Sequence, residues 1–276
     1  MPQEMKRLGV IGWPVAHSRS PAMFEAAFAE LGMDDWVYQR LPLAPELLEQ
    51  TVSSLGASGF VGANVTIPYK QAALALADSA SEAARAIGAA NTLSFKFDGT
   101  IDAENTDAPG LVAALGRLDR SPRGLSALVL GAGGSARAAV WGLLSGGARE
   151  VSVWNRTPGR ALALAGELGA HAVEEPVQTD LLVNCTSVGL QRSASEAEAL
   201  NQLHLSVDQV GEYAYVIDLV YRDGPTPLLA TARRAGVAAV DGLEVLVAQG
   251  ALSFERWTGA PAPLDAMRRG AGLSST

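Results

Sequence analysis

The run Asn64-Val65-Thr66-Ile67-Pro68-Tyr69-Lys70 brings an amide, a hydroxyl and an ammonium close together in sequence. Strand alternation puts Asn64 and Thr66 on one face. Pro68 is expected to end that strand and open a helix, which places Lys70 in its first turn. A cation there opposes the helix dipole at a cost of about 0.3–1 kcal/mol, which sets a chemical role against the plainer reading of a solvated lysine. Asn91-Thr92 and Asn105-Thr106-Asp107 form a second group. Thr106 or Asp107, shortly before Pro109, could instead cap the next helix. In His17-Ser18-Arg19-Ser20-Pro21 the two serines can point the same way along an extended loop and hold a substrate, whereas Ser20 before Pro21 also fits a helix N-cap.

A cofactor signal follows. Gly131-Ala132-Gly133-Gly134-Ser135-Ala136 comes after an apolar strand and before a helical run, reading G-x-G-x-x-A. Gly131 permits the tight turn, Gly133 lets backbone N–H groups approach a pyrophosphate, and Ala136 allows close helix–strand packing. The helix N-terminus adds unpaired donors and partial positive charge. Where an NAD site usually carries Asp or Glu, at the end of the second strand, the chain reads Trp154-Asn155-Arg156-Thr157, with Arg160 one helical turn on. A carboxylate there would repel a 2′-phosphate, whereas Arg donates to one through a planar fork. The expectation is NADP rather than NAD; the alternative leaves Arg156 and Arg160 as solvated surface charges.

These residues need elements to hold them. Arg7–Ile11, Trp36–Leu41 and Phe60–Ile67 read as strands, and Pro21–Leu31, Ala44–Leu55, Pro68–Ala77 and Ser81–Ile87 as helices. Thr92–Phe97 and Thr100–Glu104 flank Asp98-Gly99, a hairpin signal. Asn105–Leu115 reads as a connecting helix, and the Pro- and Gly-bearing stretch Asp119–Gly124 as a boundary. Beyond it, short apolar strands at Leu128–Leu130, Val151–Trp154, Leu181–Asn184, Val216–Leu219 and Val237–Val240 alternate with helical stretches. That alternation predicts an α/β fold with a doubly wound, mainly parallel sheet. Residues 190–212 lack a strong period and read as a loop or irregular helix, and Leu243–Trp257 as an amphipathic helix.

Whole-chain properties narrow the function. At ~150 residues per domain the 276 residues suggest about two domains. A net charge of −8 disfavours nucleic acid as the main partner, since phosphate neutralisation needs concentrated Lys and Arg. Cys185 is the only cysteine, which excludes an internal disulfide and fits a reducing cytoplasm. Lys6-Arg7 before Leu8–Ala16 has the outline of a secretory signal, but the apolar stretch is short and carries Pro14. No window reaches the ~18 apolar residues of a membrane span, and no metal site is expected.

Taken in order, HSRSP at 17–21, NVTIPYK at 64–70, AANT at 89–92, NTDAPG at 105–110, GAGGSARA at 131–138, NRT at 155–157, NCTSVG at 184–189, DLVY at 218–221, TPLL at 226–229 and DGLEVLVAQG at 241–250 resemble the shikimate dehydrogenase family over essentially the whole chain. The chain departs from the family pattern at Trp13-Pro14-Val15, Leu190 and Val245. The resemblance implies a substrate-binding and catalytic domain of residues 1–106, completed by C-terminal helices within 242–276. It also implies a Rossmann-type NADP-binding domain of residues 107–241, with substrate and nicotinamide meeting in the cleft between the two. The implied reaction is reversible reduction of 3-dehydroshikimate to shikimate in chorismate and aromatic amino acid biosynthesis, by a cytoplasmic monomer or homodimer with small-molecule partners only. Ser18 and Ser20 would bind the substrate carboxylate near Tyr221, and Thr66, Asn91 and Gln249 the ring hydroxyls. Lys70 and Asp107 would flank the reacting oxygen as a coupled acid–base dyad. Residues Gly131, Ala132, Gly133, Gly134, Ser135 and Ala136, with Asn155, Arg156, Thr157 and Arg160, would bind NADP; Thr186 and Ser187 would line its path, and Gly242 would sit by the nicotinamide. A quinate or aminoshikimate dehydrogenase would share these motifs, and a non-catalytic NADP- or metabolite-binding regulator would not need both Lys70 and Asp107.

Overall fold

Strand and helix alternate along the computed structural model, which describes residues 5–191 and 195–274. The chain divides into one unit of Met1–Thr106 with Leu246–Thr276 and a second of Asp107–Val245, the division falling inside helix Gly242–Thr258. No helix among the described residues is long and apolar enough to cross a membrane.

The first unit is built on β1 (Lys6–Gly12), β2 (Trp36–Pro42), β3 (Phe60–Val65), β4 (Ser79–Ala80), β5 (Thr92–Phe95) and β6 (Ile101–Glu104), in the order β2-β1-β3-β5-β6-β4. β1 is parallel to β2 and β3, whereas β5 is antiparallel to β3 and β6. The expected hairpin forms at Asp98-Gly99, where Gly99 takes φ 86 and the Asp98 carboxylate accepts from the Thr100 N–H at 3.0 Å. Alternating residues of β1 feed two cores. Leu8 and Val10 join Phe24, Phe28, Tyr38, Phe254 and Trp257, while Ile11 joins Val52, Phe60, Val65 and Leu93. The Phe24 ring stacks on Tyr38 with centroids 4.3 Å apart. Trp257 Nε1 donates to Leu93 O at 3.1 Å and passes so close over Gly62 that a Cβ there would lie 2.1 Å from it. The first turn of the helix expected at Ala44–Leu55 is instead a 3-10 turn, Pro45–Leu47, ahead of helix Leu48–Leu55.

The second unit carries β7 (Ser126–Leu130), β8 (Glu150–Trp154), β9 (His171–Ala172), β10 (Leu181–Asn184), β11 (Tyr215–Asp218) and β12 (Ala238–Asp241). All pairs are parallel and the order is β12-β11-β10-β7-β8-β9. Counted from β7 this is the 3-2-1-4-5-6 order of a dinucleotide-binding sheet, which reverses direction between β7 and β10. Every residue of β7 and β10 is buried, as a sheet covered on both faces requires. Val129 and Val183 pack to one side, Leu128, Leu130 and Leu182 to the other.

The expectation of a loop or irregular helix at 190–212 is corrected. Residues 192–194 lie outside the described residues, but Glu196–Gln202 and Val207–Glu212 are regular helices. Each opens on a capping box: Glu198 N donates to Ser195 Oγ while Ser195 N donates to Glu198 Oε2, and Ser206 with Gln209 repeats the exchange. Leu200, Leu203, Leu205 and Val210 fix these short helices to the core, supplying what their weak periodicity does not.

Candidate active site

Polar side chains of the first unit converge at the ends of β3 and β5. β3 stops at Val65, whose N–H donates to Asn91 O at 2.8 Å, and the Thr66 N–H donates to Ile11 O. The chain turns through the cis bond Ile67–Pro68, with the Tyr69 N–H donating to Thr66 O at 2.9 Å. Helix Lys70–Ala75 starts at Lys70, two residues beyond the expected Pro68. The Ala90 N–H donates to Lys70 O at 2.8 Å, joining the half-buried lysine's backbone to the segment that carries Asn91.

Asn91 is the hub. Its Oδ1 accepts from the Thr106 N–H at 2.7 Å, and its Nδ2 donates to Thr106 Oγ1 at 2.9 Å and Gln249 Oε1 at 3.1 Å. Gln249 Nε2 in turn donates to Leu246 O at 2.7 Å. Behind this pair lies a buried layer that joins Asn64 and Thr92 to two residues the sequence did not single out, Tyr38 and Ser253. Tyr38 donates to Asn64 Oδ1 at 2.8 Å, and Asn64 Nδ2 donates to Ser253 Oγ at 3.0 Å. Ser253 also sits 2.9 Å from Thr92 Oγ1 and 3.2 Å from Thr106 Oγ1. Ser253 was findable, since it stands one helical turn after Gln249 and so shares its face. Tyr38, mid-strand on β2, left no such signal.

Ser18 and Ser20 are 5% and 3% exposed. The segment is not the extended loop expected: the Ser18 N–H donates to Val15 O, Arg19 has helical dihedrals, and the Ser20 N–H donates to Ser18 Oγ at 3.3 Å. Arg19, not Ser20, occupies the N-cap of helix Ser20–Leu31, without a side-chain cap bond, so the capping explanation for Ser20 is corrected. Arg40 Nη2 holds the turn by donating to Ser18 O at 2.7 Å.

In the second unit Asp107 is the first residue of helix Asp107–Leu115 and is half-buried. Gly131 follows β7 with φ 111, and its N–H donates to Trp154 O at 2.8 Å. A Cβ on Gly131 would press on the Cys185 carbonyl at 3.2 Å and Thr186 Cγ2 at 3.4 Å, so only glycine suits this turn. Gly133 is the N-cap of helix Gly134–Ser145, and the space where its Cβ would point is open. After β8, Asn155 Nδ2 donates to Thr157 O at 2.9 Å, Thr157 is the N-cap of helix Pro158–Leu168, and Arg156 and Arg160 are exposed. Beyond β10 and β11 lie Thr186, Ser187 and Tyr221, and Gly242 opens its helix. Here too a group went unnoticed: Asp218 is fully buried, and burial pushes its carboxyl up to about 7 against hydrogen bonds from Thr226, Val220 and Asn184, with Asp241 adding to the rise.

Comparison with known proteins finds relatives along most of the chain. Family models described as "Shikimate dehydrogenase substrate binding domain", "Shikimate / quinate 5-dehydrogenase" and "Shikimate 5'-dehydrogenase C-terminal domain" match residues 10–93, 116–212 and 242–269. The shikimate dehydrogenase (NADP(+)) of Methanopyrus kandleri is 42% identical over 280 residues, covering 96% of this chain and 94% of the relative. The chain belongs to the shikimate dehydrogenase family. The Methylobacterium radiotolerans shikimate dehydrogenase (NADP(+)) is 45% identical over 92% of this chain and 91% of its own. Among solved structures, the Thermus thermophilus shikimate 5-dehydrogenase in complex with NADP(H) and shikimate superposes with a TM-score of 0.86 at 41% identity, covering 97% of this chain and 99% of that one.

As a shikimate dehydrogenase fold, the first unit depends on its buried amide layer. Asn64→Ala removes the acceptor of the Tyr38 hydroxyl and a donor to Ser253, and should cost about 1–3 kcal/mol. Thermal and urea unfolding will read that loss, and Tyr38→Phe added to Asn64→Ala should recover part of it.

Proposed function

We propose that this chain is an NADP-dependent shikimate dehydrogenase in which Lys70 and Asp107 form the acid–base dyad. The observation that carries the reading is about 40% identity across nearly the whole chain to enzymes of that name, and likeness to one solved with NADP(H) and shikimate. The shared pathway role is 3-dehydroshikimate reduction in aromatic amino acid biosynthesis. The charge of −8 and the single cysteine support a cytoplasmic enzyme with small-molecule partners, and we assign it as a monomer or homodimer.

The residues suit the cofactor. Helix Gly134–Ser145 begins at an open glycine, and the end of β8 offers Arg156 and Arg160 with no carboxylate in Asn155–Arg160 to repel a 2′-phosphate. Residues 131–136, Asn155, Arg156, Thr157 and Arg160 would hold it, with Thr186, Ser187 and Gly242 completing its path. NADPH bound there supplies the hydride for reduction.

The substrate carboxylate is assigned to Ser18 and Ser20, with Tyr221 contributing, and the ring hydroxyls to Thr66, Asn91 and Gln249. Hydroxyls give modest affinity but definite orientation, and orientation is what hydride transfer needs most. Asn91 and Gln249 are held in advance by their mutual hydrogen bond and by Thr106 and Leu246, which lowers the cost of ordering them on binding. As the carbonyl carbon gains hydride, Lys70 Nζ gives a proton to the oxygen; oxidation returns it. Asp107 orients the ammonium and balances its charge.

Three outcomes test the assignment. Purified protein should reduce NADP with shikimate far faster than with quinate, and faster than NAD with either; a quinate preference would reassign the substrate. Lys70→Ala should lower kcat by about 10²–10⁴; a change confined to KM would make Lys70 a binding residue. Arg156→Ala should raise the KM for NADP about tenfold and leave that for NAD nearly unchanged in steady-state assays.

A further inference from the structure

Asp218 ends β11 with no exposed surface, and both its oxygens are committed. Oδ1 accepts from Asn184 Nδ2 at 2.9 Å and from the Val220 N–H at 3.1 Å; Oδ2 accepts from Thr226 Oγ1 at 2.5 Å. Each donor governs a different segment. The Oδ1 atom of Asn184 accepts from Thr186 N at 3.0 Å and Thr186 Oγ1 at 2.7 Å, and Thr186 Oγ1 then accepts from Val188 N, so this amide shapes the loop after β10. Val220 begins the loop that carries Tyr221. Thr226 caps helix Pro227–Arg234 by accepting from Leu229 N at 3.2 Å. At the surface Arg222 bridges the same two loops, donating to Gly189 O, Gln191 O and Pro225 O.

We propose that Asp218 is the positioning residue that sets the post-β10 loop and the post-β11 loop in one joint conformation, so that the cofactor residues Thr186 and Ser187 and the substrate residue Tyr221 are aligned together. The proposal rests on the roles given to those three residues above. A buried carboxylate with three donors aimed at it holds three segments at once, where a neutral group of the same shape satisfies only part of the set. Protonation weakens the arrangement. An O–H on Oδ2 can face Thr226 only by reversing that bond, so the hydroxyl then accepts from both Asp218 and Leu229 and its own proton loses the charged acceptor it had. Of the charged groups around it, Asp241 on β12 is its register partner and opposes its ionisation, while Arg222 spends its donors on backbone carbonyls. Because burial raises the carboxyl to about 7, the ionised form is lost as pH falls through neutrality.

The test is steady-state kinetics of Asp218→Asn, Thr226→Val and Thr226→Ser in the full chain, with thermal unfolding alongside. Asp218→Asn and Thr226→Val should raise the KM for NADP and for shikimate together, about three- to tenfold, and Thr226→Ser should restore both. Between pH 8 and pH 6 the wild-type KM values should rise relative to those of Asp218→Asn, a comparison that cancels pH effects common to both proteins. Unchanged KM values with only a lower unfolding temperature would overturn the proposal, as would a wild-type to variant ratio flat with pH. Thr186→Val and Tyr221→Phe separate the underlying reading: each should raise one KM alone, and if neither does, the site assignment fails rather than the coupling.

Discussion

A polar group withdrawn from water must find a partner inside the protein, and in the first unit that requirement converges on Asn91. Left unpaired, its buried amide would cost about 1–3 kcal/mol. Paired with Thr106 and Gln249, it fixes the chain at the start of β5, the end of β6 and helix Gly242–Thr258. Asn64 repeats the device one layer deeper, using Tyr38, Thr92 and Ser253. Asn91 and Gln249, two of the side chains assigned to the substrate, are thus members of a network that Thr106, Ser253 and Asn64 hold still.

In the second unit the governing physics is the parallel sheet. Its central strands are buried on both faces, so function falls to the loops at their carboxyl ends, where the strand order reverses between β7 and β10. Gly131 turns tightly there because the Cys185 carbonyl leaves no room for a side chain. Asp218, one strand further out, ties the next two loops to each other. The same edge therefore combines a neutral glycine cradle with a buried ionisable staple, and each depends on the other strands being in register.

Much of the fold was legible because it is written locally. Asp98-Gly99 encodes its hairpin, and short apolar runs between helical stretches encode a parallel sheet. The capping boxes at Ser195 and Ser206 were equally local but overlooked, because the helices they open are too short to show a period. Ser20 went the other way: Ser-Pro is a common start signal, yet the turn from Val15 to Ser18 moves the cap to Arg19 and leaves the Ser20 hydroxyl out of that role.

The sequence alone determined most of the strand–helix order, the glycine turn at 131–136, the basic end of β8 at Arg156 and Arg160, and the ordered motifs of the shikimate dehydrogenase family. These depend on neighbours a few residues apart. Tertiary structure alone decided that Ser253 meets Asn64, that Tyr38 bonds to the same amide, and that Asp218 is buried among donors from the end of β10, the loop after β11 and a helix N-cap. Ser253 stands 189 residues from Asn64 and Asn184 stands 34 from Asp218, and burial, hydrogen-bond satisfaction and a raised carboxyl pKa are properties of what surrounds a residue in space.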